Sequence, residues 1–165
     1  MNKAILALMV WGTLFSCEKE SENPANKRRA FFENVELSLS DNAGVYPIWT
    51  RGEKTIFQYA FVHPDEPLIS DDELTEHFWI EIPSDLEEFS IEEPLSEGST
   101  IEAYYTRSCF CYIPEAFEFT QLKVNGRKTA KNQWTISFEM KAEGKYGTYQ
   151  LSDSGTYRID TFTWE

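Results

Sequence analysis

Trp134-Thr135-Ile136-Ser137-Phe138-Glu139-Met140-Lys141 is the stretch that decides the fold class of this 165-residue chain. Trp134, Ile136, Phe138 and Met140 fall on one side of an extended backbone; Thr135, Ser137, Glu139 and Lys141 fall on the other. Successive side chains of a strand point to opposite faces, whereas a helix returns to the same face every 3.6 residues. One dry face and one wet face is what an antiparallel strand lying on a core requires. The same period recurs in Val35/Leu37/Leu39, in Phe57/Tyr59/Phe61 set against Ile56/Ala60/Val62, in Phe78/Ile80/Ile82, in Phe117/Phe119 and in Tyr157/Ile159. A longer stretch carries Ile101, Ala103, Tyr105, Cys109, Cys111 and Ile113 on one side until Pro114 ends it, since proline cannot donate to a ladder. Ser70-Asp71-Asp72-Glu73-Leu74 has helix-capping chemistry for one turn at most.

Turn residues punctuate these runs. Asn125-Gly126 is the strongest hairpin cue; Arg51-Gly52-Glu53-Lys54 and Glu143-Gly144-Lys145 suit hairpins, and Ser154-Gly155 is expected to open the last strand. Eight or nine strands in residues 31–165 predict one all-β domain, either an antiparallel sandwich or a small antiparallel barrel. Alternation and turns serve both architectures equally.

Composition narrows the function classes. Hydrophobic residues make up 41% and charged residues 26%, enough for a packed core. A net charge of −13 argues against holding a phosphate backbone, so no nucleic-acid partner is expected. The acids are unevenly spread. Fourteen lie between Asp65 and Glu102 with no Lys or Arg among them, while the chain from Arg107 onward holds eight basic and seven acidic residues. A solvated, self-repelling face accounts for that region; a patch for a basic partner or for calcium is the alternative, and no calcium-loop motif supports the latter.

The first seventeen residues read differently from the rest. Met1-Asn2-Lys3 is a short positive start, and ten of the twelve residues 4–15 are apolar. Twelve helical residues reach only ~18 Å, too short to span a ~30 Å hydrocarbon core and in proportion with a secretory signal. Leu14-Phe15-Ser16-Cys17 then resembles the lipobox of bacterial lipoproteins. That resemblance implies cleavage between Ser16 and Cys17 and fatty acylation of Cys17, with residues 1–16 as signal peptide, 17–30 as lipidated tether and 31–165 as the β domain. Two or three acyl chains, each buried CH₂ contributing ~0.8 kcal/mol, anchor firmly.

The tether contains Glu18, Glu20 and Glu22 around Lys19 and Ser21, similar to the surface-export signals of Bacteroidota lipoproteins. Lys27-Arg28-Arg29 is expected to belong to this solvated tether. The whole layout resembles small Bacteroidota lipoproteins with a calycin-like or sandwich domain. The resemblance implies an outer-membrane lipoprotein on the periplasmic or cell-surface side, held to the membrane through its lipid.

Chemistry-bearing residues are sparse. Cys109 and Cys111 are two apart; on an extended strand alternate Cα atoms lie ~6.6 Å apart, and a bridge needs Cβ atoms at ~3.8 Å, so a disulfide between them requires a bulge at Phe110. A pair of small core residues, a local disulfide and metal ligation all stay open for them. His63 precedes Pro64 at a strand end and His77 opens the Phe78 strand; an exposed or hydrogen-bonded structural role is expected of each. No G-x-S-x-G, H-E-x-x-H, phosphate loop or dinucleotide fingerprint occurs, and no cofactor or metal site is expected. Tyr104 and Tyr112 lie opposite the apolar side of their strand and, with Trp79, are the ligand-binding candidates; burial of that strand on both faces would equally account for them. The expected function is a non-catalytic, lipid-anchored binding or interaction module for a protein, small molecule or glycan. An envelope hydrolase or carbohydrate-active enzyme using carboxylates, and an assembly factor without a ligand, are the alternatives.

Overall fold

The computed structural model describes residues 26–39, 47–64, 74–92, 99–108 and 117–161. Ser16, Cys17, Cys109, Cys111 and Tyr112 lie outside the described residues, as does the expected signal peptide. Eight strands follow one another: β1 (Lys27–Leu39), β2 (Pro47–Val62), β3 (Thr75–Pro83), β4 (Glu88–Glu92), β5 (Glu102–Ser108), β6 (Glu118–Ala130), β7 (Gln133–Gly144) and β8 (Gly147–Ile159). They form one sheet in the order β4-β6-β7-β8-β1-β2-β3-β5. Every pairing is antiparallel except β1 with β8, which run parallel over Ala30↔Arg158 and Phe31↔Ile159. Among the described residues β4 and β5 end the sheet without pairing, so it is not closed as a barrel.

The sheet curls until its two wings pack face to face as in a sandwich. Rings from β2 and β3 meet rings from β4 and β7: Phe57–Trp134 at 5.0 Å, Tyr59–Phe138 at 5.2 Å, Phe78–Phe138 at 4.6 Å and Phe57–Phe89 at 5.7 Å between centroids. Burying each such side chain contributes ~1.5–3 kcal/mol, so this shared interior is the main source of stability. Trp134, Ile136, Phe138 and Met140 all sit in it, as their alternation requires.

The β1, β2, β3 and β5 wing is dry on its outer face too, where Ala30, Phe32, Val35, Leu37, Ile56 and Trp79 form a second cluster. The cover comes from β1 and β2 themselves. At Asn34, which has φ 60°, β1 is irregular, and Val35 registers with both Arg51 and Lys54 of β2. Beyond this bulge the arm of residues 35–39 and 47–52 turns back over the outer face. Trp49 lands edge-on against Phe32 at 5.1 Å, although Leu37, the partner of Trp49, lies five residues further along β1.

Several expectations need correction. Asn125-Gly126 is not a turn: it lies in mid-β6, opposite Ser137 and Ile136, and the β6–β7 turn is at Lys131 and Asn132. A Cβ on Gly126 would stand 2.5 Å from Phe89 Cζ and 2.8 Å from Ile136 Cδ1, so the missing side chain makes room for the Phe89 ring. Ser154-Gly155 likewise sits inside β8, where a Cβ on Gly155 would stand 2.7 Å from Arg29 Nε. Arg51-Gly52-Glu53-Lys54 is the bulge within β2 and not a hairpin. Glycine serves close approach as readily as turning. Finally, β1 begins at Lys27, so Lys27-Arg28-Arg29 belongs to the sheet and not to a tether, and the β domain starts before residue 31.

Candidate functional site

The parallel seam between β1 and β8 shapes the site. These strands pair at only two positions and then diverge toward the start of β1. Arg29 fills the split: its Nε and Nη2 donate to Asp153 Oδ2 and Oδ1 at 2.6 and 2.7 Å, and Lys27 Nζ lies 3.6 Å from the same carboxylate. The Asp153 side chain is only 3% exposed. A buried carboxylate needs this bidentate partner, and the hydrogen bond to Asp153 in turn raises the Arg29 pKa against the opposing effect of burial. Burial, followed by the nearby Asp153 charge, pushes the Tyr157 hydroxyl well up.

Beyond the Arg29–Asp153 bridge the split opens into a cavity of about 470 Å³ between the end of β2 and the middle of β8. Tyr59, Phe61, His63 and Leu151 line it, with Asn26, Lys27, Gln150 and Ser152 at its polar margin and Glu76 among its walls. Glu76 is 7% exposed. Its Oε2 lies 2.7 Å from His63 Nε2, its Oε1 accepts from the Tyr105 hydroxyl, and Arg107 Nε stands 3.6 Å from Oε1. Burial first, and donation to Glu76 second, push the Tyr105 hydroxyl far above its ordinary range. The Arg107 guanidinium also lies 4.3 Å over the Tyr149 ring, and Phe117 packs edge-on against Tyr105 and Tyr149. Local strand geometry positions these groups. Phe61 registers with Glu76 and Glu76 with Arg107, while the His63 amide donates to the Leu74 carbonyl at 2.8 Å, holding the imidazole at the strand end.

The result is a preorganised polar array at one wall of an aromatic pocket. Its carboxylates are each engaged by a cation or a hydrogen-bond donor, which suits holding a ligand in a fixed orientation. Among the described residues, no three His, Cys, Asp or Glu side chains gather to hold a metal ion. A shallower trough of about 770 Å³ on the outer face of β4, β6, β7 and β8 is lined mostly by short polar groups such as Ser90, Asn125, Ser137 and Ser154.

The sequence-based candidates lie elsewhere. Trp79 and Tyr104 are brought together as cross-strand partners, on the outer face of β3 and β5. Trp79 is 2% exposed and belongs to the second core, so it presents no ring to a ligand. Half-buried Tyr104 gives its hydroxyl to the Leu37 carbonyl at 3.3 Å and to Glu102, so both candidates support the arm. The two buried acids of β3, Glu76 and Glu81, point to opposite faces five residues apart and do not form a carboxylate pair. Sequence reasoning missed Glu76, Tyr105 and Arg107 as a group. The signal was present in part: Glu76 shares the parity of Phe78, Ile80 and Ile82, which puts an acid on the dry face. Comparison with family models, with curated proteins and with solved structures finds no match for this chain.

Proposed function

We propose that this chain is a lipid-anchored protein of the cell envelope, at the outer membrane, whose β domain is a non-catalytic binding module acting through the Phe61–His63–Glu76 pocket. The observation that carries the binding reading is the preorganised pocket itself, in which Glu76 is held by His63, Tyr105 and Arg107 beside the rings of Tyr59 and Phe61. A fixed polar array beside aromatic walls is the usual equipment of a small-ligand site. Location rests on the lipobox-like Leu14-Phe15-Ser16-Cys17. Lys27 is ten residue steps from Cys17, about 35 Å at full extension, so the pocket margin at Asn26 and Lys27 would work close to the bilayer.

Cys17→Ala tests the anchor: the variant should leave the membrane fraction, and its N-terminal peptide should lack glyceride mass. Membrane retention of the variant would remove the anchor. Phe61→Ala tests the pocket, with loss of small-ligand binding expected and an unchanged fold by circular dichroism. A carboxylate-using hydrolase is the second reading, favoured by Glu81 and Glu102, which face each other in register across β3 and β5. Glu102→Gln should then abolish hydrolysis and leave pocket binding untouched.

A further inference from the structure

We propose that the arm formed by residues 35–39 and 47–52 is a hinged flap, lifting from the outer face of β3 and β5 while the rest of the domain stays folded. The hinge is visible in the backbone. Asn34 is the one non-glycine residue with positive φ among those described, and it sits where the β1–β2 register slips. Beyond it, among the described residues, no strand ladder ties the arm to the face beneath.

The latch is concentrated on a single residue. The Leu37 amide donates to Glu81 Oε2 at 2.7 Å, and the Leu37 carbonyl accepts from the Tyr104 hydroxyl at 3.3 Å. Lys54, at the bulge, holds the other Glu81 oxygen at 3.3 Å. Apolar contact adds Val35 and Leu37, with Trp49 against Phe32.

The closed state carries its own opposing force. Glu81 is 4% exposed, and the buried Trp79 Nε1 has no hydrogen-bond partner among the described residues. Lifting the flap returns Glu81 and the Trp79 indole to water. The outer cluster has six buried residues against eighteen in the interior, so less apolar burial opposes that release. Local openings of this kind lie below global unfolding in free energy. The surface uncovered is aromatic, with Trp79, Phe32 and Tyr104 bordered by Glu81 and Glu102.

The fold supplies an internal control, because Trp79 and Trp134 are both 2% exposed and neither indole N–H has a partner among the described residues, one lying beneath the flap and one in the interior. Native-state hydrogen exchange of the full ¹⁵N-labelled chain reads them side by side. The Trp79 indole and the Leu37 amide should exchange at least about tenfold faster than the Trp134 indole, with little dependence on low denaturant. Glu81→Gln should speed both without changing Trp134. Equal rates for the two indoles in the unmodified protein, with the same denaturant dependence, would overturn the flap. Equal acceleration of the Trp79 and Trp134 indoles by Glu81→Gln would do the same.

Discussion

The two wings of the sheet obey different rules. In the β6–β7–β8 wing each strand has one dry face: Leu122, Val124, Ile136, Phe138, Met140, Leu151 and Tyr157 go inward, while Lys123, Thr135, Glu139 and Ser152 meet water. In the β1–β2–β3–β5 wing both faces are dry, and β3 is buried without interruption from Phe78 to Ile82. The difference comes from one bulge. By turning the β1–β2 arm back over its own wing, Asn34 and its neighbours give a single sheet a second hydrophobic layer. The second layer is also where polar groups are least comfortable, since it buries Glu81, the Trp79 indole and the Nδ1 atom of half-buried His77.

If the shared interior is the dominant core, the largest effect belongs to Trp134. Trp134→Ala should destabilise the domain by ~3–5 kcal/mol in urea unfolding, and a change under about 1 kcal/mol would mean that the wings do not depend on their common interior. The seam between the wings comes next. Arg29→Met strands the 3% exposed Asp153, which should cost about 3 kcal/mol, the low end for orphaning a buried charge, because Lys27 Nζ stays 3.6 Å away. Adding Asp153→Leu should recover most of that loss, and failure to recover would show that the bridge does more than compensate a buried charge.

Gly126 sharpens the comparison within the one-faced wing. Gly126→Ala pushes a methyl into Phe89 and Ile136 and should cost about 1–3 kcal/mol by overpacking. Thr135→Ala, one step away on the wet face, should stay within about 0.5 kcal/mol. If the two variants melt alike, Gly126 is not a packing glycine.

The same contrast explains what was legible in the amino-acid sequence. The one-faced wing was readable because period-two alternation reports burial on one side, as from Trp134 to Lys141. Turn chemistry misled wherever glycine marked a close approach: Asn125-Gly126 and Ser154-Gly155 carry the composition of turns, yet they are places where Phe89 and Arg29 lie against the backbone. The two-faced wing was only half readable. Alternation between two dry faces looks like a continuous apolar run, which does not say what covers the second face. The functional cluster was hidden for a related reason. Glu76, Tyr105 and Arg107 come from β3 and β5 and His63 from just past the end of β2, and only the β2–β3–β5 register brings them together. Within the described part of the acid-rich region, parity puts Glu76 on the interior face, while Asp85, Glu87, Glu88, Glu92 and Glu102 are exposed.

His77 offers the finest test, because its surroundings exist only where the second face is dry. The ring stacks on Trp79 at 5.1 Å with 5° between the planes. Burial, reinforced by the positive charge of Arg28, lowers its pKa below the ordinary 6.5. The unfolded chain therefore takes up a proton at this ring before the folded one does. Stability from His77 is complete above about pH 6.5 and declines as the pH falls from there through the lower folded-state value. Wild type should thus lose melting temperature between pH 7 and 5 more steeply than His77→Gln, while carboxylates common to both cancel in the difference. Identical slopes would mean that His77 is as well solvated as a residue on the wet wing.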